Sequence, residues 1–220
     1  MPANPKIIQL RELLAARGLA TVAPAEGRLL AGWPALDAAA GDGLPKGDIA
    51  ELHCVAGGGA LAVAQILGTA AANRQYVVLV DGADGFDPAS VEPAARARLL
   101  WVRCRNAVEA VKAADLVLRD GNLPLVLLNV RGCADVACVP SQAWYRLQRI
   151  VEQSGVALLV LTPRPLVPSA RVRVTLRWRC TLDDLERDRD ELAQAVIFET
   201  VRVQGARGST EEEPQLAEVG

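Results

Sequence analysis

The stretch ELHCVAGGGALAVAQIL, Glu51 to Leu67, joins a short apolar run to three consecutive glycines and then to an alanine-rich segment. A short apolar run predicts a buried strand, and alanine favours a helix. Glycines between a strand and a helix allow backbone N–H groups to approach a phosphate closely. The stretch therefore has the layout of a phosphate-binding loop.

The side chains that such a loop needs are missing. A working loop, G-x-x-x-x-G-K-[ST], uses its lysine to neutralise phosphate charge and its hydroxyl to bind magnesium. With Gly59 aligned to the second glycine, Cys54 falls at the first glycine, Ala60 at the lysine and Leu61 at the hydroxyl residue. We therefore expect a vestigial phosphate loop, made of Gly57, Gly58, Gly59, Ala60 and Leu61, with at most a weak anion site.

The acidic positions of an ATPase are also replaced. A magnesium-binding acid normally ends a later buried strand, and LPLVLLNV presents the uncharged Asn129 there. After the second strand, YVVLVD, the stretch LVDGADGFDP offers Asp81, Asp84 and Asp87, of which Asp84 is the candidate base. With no lysine or metal to act with, we interpret Asp84 as a solvated loop acid. The sequence predicts no catalytic residue, no cofactor and no metal site.

The rest of the chain alternates apolar runs with amphipathic segments. The runs YVVLVD, LLWVRC, LPLVLLNV and VALLVLT predict buried strands, and NAVEAVKAADLVLRDG and SQAWYRLQRIVEQSG predict helices. Alternation of this kind predicts an α/β fold: a mostly parallel, twisted sheet with helices on both faces. Ligands of such folds bind at the carboxyl ends of the strands.

A different pattern follows the fifth strand. Four arginines alternate with apolar residues, which predicts an edge strand with one cationic face, paired with AVIFETVRV as an antiparallel hairpin. Two interpretations of this face stay open. It is either a DNA contact or a solvated edge whose arginines pair with Asp183, Asp184, Glu186 or Asp188. The four arginines are Arg171, Arg173, Arg177 and Arg179.

Composition limits the classes of function. The net charge of -2 excludes a general electrostatic attraction to nucleic acid, so DNA binding would need a local patch. The five cysteines contain no C-x-x-C pair and the chain has one histidine, His53, which argues against a zinc site and makes Cys54 a weak candidate nucleophile. No secretory signal or membrane span is visible, and we expect a cytoplasmic protein.

Three regions are predicted. Residues 1–32 form an N-terminal helix, Lys6 to Arg17, and a connector rich in glycine and proline. Residues 33–204 form the core domain. Residues 205–220 are small, acidic and proline-containing, which is typical of disorder.

Several of these stretches resemble the core of RecA-type recombinases. The run ALDAAAGDGLPKGDIAELHCVAGGGALAVAQIL is similar to the family segment in which a leucine-proline-x-glycine turn and a strand ending in glutamate precede the phosphate loop. In LVDGADGFDP, Ala83 stands where the family's catalytic glutamate would fall, and Asn129 stands at its magnesium-site aspartate. The resemblance covers roughly Trp33 to Thr162 and implies a RecA-like fold.

Within this superfamily the chain is most similar to the ImuA group, the RecA-like accessory proteins of SOS mutagenesis cassettes. The degenerate glycine loop and the run SQAWYRLQRIVEQSGVALLVLTPRP before an arginine-rich strand carry this similarity. It implies a non-catalytic role in translesion DNA synthesis beside a Y-family polymerase homologue and a DnaE-type polymerase. RecA and DNA are further candidate partners. The alternatives are an ATPase with an unorthodox loop, and a SulA-like division inhibitor or recombinase regulator.

Overall fold

The computed structural model describes residues 27–55, 57–178, 181 and 183–203. The predicted N-terminal helix, Arg179 and the predicted acidic tail lie outside these residues. Strands and helices alternate through most of the described chain, as the apolar runs predict. The strands are β1 (Arg28–Leu29), β2 (Leu44–Pro45), β3 (Ile49–Val55), β4 (Val77–Asp81), β5 (Leu99–Arg103), β6 (Leu125–Asn129), β7 (Ala157–Thr162), β8 (Val172–Arg177) and β9 (Ile197–Val203). The α-helices are α1 (Pro34–Ala39), α2 (Gly59–Ala72), α3 (Pro93–Arg96), α4 (Ala107–Asp120), α5 (Ser141–Ser154) and α6 (Arg189–Gln194).

The larger sheet has seven strands in the order β5-β4-β6-β7-β3-β8-β9. All neighbours in it are parallel except β8 and β9, which form an antiparallel pair at one end. The protein is therefore an α/β fold with a mostly parallel sheet and a C-terminal antiparallel hairpin. This confirms the predicted α/β class, with its mostly parallel sheet and C-terminal antiparallel hairpin, and it is compatible with a RecA-like fold.

One detail of the hairpin differs from the prediction. Strand β8, which carries the arginines, is not an edge strand: it lies between β3 and β9 and runs parallel to β3, with Glu51 opposite Arg173. The edge is β9, whose Ile197 and Val201 are 61% and 56% exposed. The alternation in β8 is real, but Arg173 on its charged face pairs with Glu51 of the neighbouring β3, and Arg177 remains exposed.

The sheet separates two cores because successive strand residues point to opposite faces. On the first face, Leu52 and Val174 pack with Ile66 of α2. On the second face, Val160 packs with Leu118 of α4 and Leu147 of α5. Helix α4 begins at the Asn106 side chain, which accepts a hydrogen bond from Glu109 N, and ends at Gly121.

The first face also joins the two ends of the described chain. The ring of Trp33 packs edge-on against Phe198 of β9, with centroids 4.8 Å apart. The Thr200 hydroxyl donates to the Ala39 carbonyl at 2.8 Å. The last strand is therefore held by the segment that precedes β3.

The helices that follow the central strands pack on opposite faces of the sheet. Helix α2 leaves β3 towards the first core, whereas α5 leaves β6 towards the second. Ligand sites of open α/β sheets form where the connections diverge in this way. None of the described helices is long and apolar enough to cross a membrane.

Candidate functional site

The glycine turn at the end of β3 is too short to be a full phosphate loop. Cys54 and Val55 are still in the strand, paired with Leu176 and Arg177 of β8. Helix α2 begins at Gly59. Only residues 56–58 therefore separate strand from helix, and the position aligned with the first glycine of the motif is extended backbone.

The glycines of this turn are required by the backbone. Gly57 and Gly58 have φ of 122° and 73°, in the region that L side chains rarely adopt. A Cβ on Gly58 would lie 2.4 Å from Leu176 Cδ2, in the first core. These glycines let α2 fold back onto the sheet directly after β3.

Arg131, which follows β6, lies across the start of α2. A Cβ on Gly59 would be 1.9 Å from Arg131 Nη1, so the guanidinium covers the place that a side chain would take. Asn129 holds this arginine, because its Oδ1 accepts from Arg131 Nε at 3.1 Å. A cation therefore lies next to the vestigial phosphate loop, although the lysine position is Ala60.

Asn129 is also bonded to the end of the neighbouring strand. Its Nδ2 donates to Asp81 Oδ1 at 3.3 Å, and Asp81 Oδ2 accepts from Phe86 N at 2.7 Å. Asp81 is fully buried and Asn129 is 8% exposed. These bonds hold the loop after β4 against β6.

The two other acids of LVDGADGFDP have structural partners. Asp84 accepts from both Nε and Nη2 of Arg103 at 2.6 Å, and these bonds lower the pKa of its carboxyl. Asp87 accepts from Ala89 N at 2.9 Å at the start of a short 3-10 turn. The carboxylate of Asp84, the candidate base, is therefore ionised and bound on both oxygens by Arg103.

The positions that the resemblance assigned to ATP chemistry gather around one edge. Arg131 connects Asn129 with Gly59, and Ala83 lies against Gly132, where an added Cβ would be 2.8 Å from Ala83 Cβ. Ala60 is exposed, and Leu61 packs against the first core. The loops aligned to the phosphate, glutamate and aspartate motifs thus share the carboxyl edge of the sheet, without the charged side chains of an ATPase.

His53 and Cys54 do not form a nucleophile and base. As neighbours in one strand they point to opposite faces. His53 Nε2 contacts the Pro163 carbonyl oxygen at 3.1 Å, and Cys54 packs in the first core. Burial raises the pKa of the Cys54 thiol to about 11. The thiol is therefore protonated near neutral pH and serves as core packing.

Two of the candidate DNA-binding arginines pair with acids of β3 and the residue before it. Arg173 Nε donates to Glu51 Oε2 at 2.6 Å, and the Arg173 and Glu51 side chains are 17% and 0% exposed. Arg171 Nη1 donates to Asp48 Oδ2 at 3.2 Å. We call Asp48, Glu51, Arg171 and Arg173 the β3 clasp. The sequence predicted that the arginine strand pairs with Asp183, Asp184, Glu186 or Asp188. For Arg171 and Arg173 this prediction is wrong, because β8 lies beside β3 and their partners are Asp48 and Glu51.

The clasp also holds the segment between β7 and β8. Glu51 Oε1 accepts from Thr162 Oγ1 at 3.0 Å and from Leu166 N at 2.6 Å. Asp48 Oδ1 accepts from Gln148 Nε2 of α5 at 2.8 Å. Val167 N is a fourth donor to Glu51, at 3.3 Å from Oε1, and a fully buried carboxylate with four donors is a structural anchor.

Arg177 is the exposed member of the arginine strand. It is 56% exposed at the side chain and pairs with Glu199 of β9 at 2.7 Å. Trp178 packs against the first core, so it lies on the apolar side as predicted. DNA contact by this strand stays a prediction, now centred on Arg177 and on Arg179, which lies outside the described residues.

The sequence did not indicate the roles of Arg131 and Glu51. Arg131 follows a predicted buried strand, and nothing local in the sequence shows that it reaches α2. Glu51 lies between Ala50 and Leu52 in a buried run, and a charge at such a position is itself a signal that a buried cation faces it. The described residues contain no group of three or more histidine, cysteine or acidic side chains that could hold a metal ion.

Comparison with known proteins found no match for this chain. No family model matches the chain, and no curated protein matches it.

Proposed function

We propose that this chain is a non-catalytic RecA-like protein of the ImuA group, which acts in translesion DNA synthesis through contacts with other proteins. The observation that carries the non-catalytic part is the position of Arg131. Its guanidinium packs on Gly59, where a phosphate-binding loop would receive its ligand.

Three further features support the same proposal. The turn after β3 has too few residues to wrap a triphosphate, since Cys54 and Val55 belong to the strand. Both carboxylate oxygens of Asp84 accept hydrogen bonds from Arg103. Asn129 uses its amide to join Asp81 and Arg131. The side chains of Asp84 and Asn129 are thus engaged in contacts within the protein.

The proposed partners are a Y-family polymerase homologue and a DnaE-type polymerase, with RecA and DNA as further candidates. They come from the similarity of the sequence to the ImuA group, with which an α/β sheet carrying a glycine turn after a central strand is compatible. A sheet that retains its fold while its nucleotide chemistry is replaced is suited to present surfaces to other proteins.

Two measurements test the proposal. Calorimetry with magnesium-ATP is expected to show no binding in the micromolar range, because lysine, hydroxyl and magnesium-site acid are all absent. Mixing the chain with the Y-family homologue and the DnaE-type polymerase of its own organism is expected to give a complex in size-exclusion chromatography. Absence of any complex with either polymerase would contradict the accessory role.

The competing function is a nucleotide-dependent enzyme with an unorthodox loop. One observation favours it: Arg131 and the amino end of α2 place two positive groups side by side, which attracts anions. Micromolar magnesium-ATP binding that is lost in Arg131→Ala, or ATP turnover lost in Asp84→Ala, would establish this alternative. An anion that binds without magnesium and without turnover would leave the accessory proposal standing.

A further inference from the structure

Three arginines lie beside a single carboxylate where α4 and α5 meet on the second face of the sheet. Arg119 Nε of α4 donates to Asp115 Oδ1 at 2.8 Å, and Arg146 Nε of α5 lies 2.8 Å from Asp115 Oδ2. The Arg119 and Arg146 side chains are 57% and 56% exposed, whereas that of Asp115 is 9% exposed. Arg149 is exposed one turn further along α5. We call Asp115, Arg119, Arg146 and Arg149 the arginine cluster, in which one carboxylate faces three cations.

The contact between Arg146 and Asp115 leaves the donors of Arg146 unused. Asp115 Oδ2 has no hydrogen-bond partner among the described residues, although Arg146 Nε is 2.8 Å away, so the contact is an ion pair without hydrogen-bond alignment. The buried carboxylate thus holds the guanidinium in place by charge. A guanidinium that is held in place with unused N–H groups suits a second carboxylate, which accepts two parallel hydrogen bonds.

The other acids of α4 and α5 do not supply that second carboxylate. Each of the three is bound to a neighbour outside the arginine cluster. The pairs are Glu109 with Arg105, Asp120 with Asn122 and Glu152 with Gln148. Within the described part of the chain, Arg149 forms no ion pair. The arginine cluster is therefore suited to receive carboxylates from outside the two helices.

Two exposed apolar side chains flank the arginine cluster. Leu116 follows Asp115 on the outer side of α4 and is 71% exposed, the highest value among the large apolar side chains of the described residues. Tyr145 precedes Arg146, lies one turn from Arg149 on α5 and is 51% exposed. Arginine and tyrosine are enriched at protein interfaces. A nucleic acid would use the arginines and the tyrosine but would leave the aliphatic Leu116 in water, so the surface favours a protein.

We propose that the outer face of α4 and α5 binds an acidic segment of a partner protein, and that this segment also carries apolar residues. Carboxylates of the segment bind Arg146 and Arg149, and its apolar side chains cover Leu116 and Tyr145. Complementary charge selects the segment, and the removal of apolar surface from water adds affinity. This inference rests on the proposed function, because it names a surface through which the accessory protein contacts a partner.

Fluorescence anisotropy with the full chain tests this surface. The probe is a fluorescein-labelled peptide of repeated Glu-Glu-Leu-Glu units, and the matched probe has serine in place of each leucine. Arg146→Gln/Arg149→Gln is expected to weaken binding of the leucine peptide about tenfold at low salt. The control Arg96→Gln/Arg164→Gln removes two exposed arginines elsewhere and should change the affinity less than about twofold.

A second variant tests the apolar part of the surface. Leu116→Ser is expected to weaken binding of the leucine peptide about threefold, because less apolar area is buried, and to leave the serine peptide unaffected. Equal affinity for the two peptides would overturn the proposal, since charge attraction alone would then explain the binding. A leucine peptide that does not bind, or that binds both variants as it binds the wild type, would also overturn it.

A labelled single-stranded DNA oligonucleotide serves as the competing probe. Tighter binding of the oligonucleotide than of the leucine peptide, lost in Arg146→Gln/Arg149→Gln, would overturn the proposal, because the face would then be a nucleic-acid surface. No polymerase is present in these measurements. Failure of the proposed surface is therefore distinguishable from failure of the accessory role, which is judged by complex formation with the polymerases.

Discussion

Strand β3 contacts two polar regions that differ in how their charges are arranged. At its carboxyl end, the Arg131 guanidinium packs on Gly59 and is held by the neutral Asn129. Along its second face, Glu51 is fully buried and meets the guanidinium of Arg173 and the amide of Leu166. The first region has the position of a ligand site, and the second has the bonding of a structural anchor.

This difference shows where the charges of the protein stabilise its fold. The clasp charges are paired with each other and withdrawn from solvent, so they are poor candidates for binding a partner. Arg131 has a neutral partner, Asn129, and lies at the carboxyl edge of the sheet. Two arginines of the predicted DNA patch, Arg171 and Arg173, are paired within the sheet, whereas DNA contact by the exposed Arg177 stays a prediction.

The largest effect is expected from breaking the clasp. Glu51→Gln should lower the free energy of unfolding by about 3 kcal/mol, because it leaves the Arg173 charge buried without a counterion. Chemical denaturation measures this. Glu199→Gln is the matched control: it breaks the exposed pair with Arg177 and should cost at most about 1 kcal/mol. Equal costs for the two variants would show that the clasp is not an anchor.

A smaller loss of stability is expected from substitutions in the glycine turn, and it should differ between two of the glycines. Gly58→Ala should cost about 2 kcal/mol, because φ at residue 58 is 73° and the new methyl group would meet Leu176 in the core. Gly59→Ala should change stability by less than about 1 kcal/mol, because only the flexible end of Arg131 must move and alanine favours the helix. Thermal or chemical unfolding of the two variants compares them, and the reverse order would contradict this account of the turn.

The smallest effect should come from Asp84. Because Arg103 lowers its folded pKa below the ordinary value, the pair contributes stability that is present above about pH 4 and lost as the pH falls through the folded pKa. The melting temperature of Asp84→Asn should therefore lie slightly below that of the wild type at pH 7, and the two should converge at acid pH.

Asp42→Asn is the control for this last comparison. Asp42 has a similar left-handed backbone, with φ of 67°, and no ion pair within the described residues. At pH 7 its melting temperature should differ from that of the wild type by less than that of Asp84→Asn does, because no arginine loses its partner. A pH-independent difference for Asp84→Asn would mean that the ion pair with Arg103 does not contribute.

The sequence predicted the parallel sheet and its covering helices because local patterns determine them. Apolar runs identify buried strands, and the cap at Asn106 and the glycine at 121 mark the limits of α4. The neighbour of β8 was not predictable in this way, since alternation in a strand says which residues share a face but not which strand lies beside it. The position of Arg131 was likewise set by a contact between distant segments.

The candidate functional site could likewise be predicted only in part from the sequence. Loss of the lysine at Ala60 is visible in the sequence, and so is the neutral residue at 129. That Asn129 holds an arginine over Gly59 depends on the loops after β3 and β6 meeting at one edge. A motif therefore shows which chemistry is missing, while only the fold shows what has replaced it.

The contact of Trp33 with Phe198 has a consequence for synthesis on the ribosome. The hydrogen bond between Thr200 and Ala39 joins residues 161 positions apart. The segment before β3 therefore leaves the ribosome long before its packing surface on β9 has been synthesised. We expect the packing of this segment to form only after β9 has emerged.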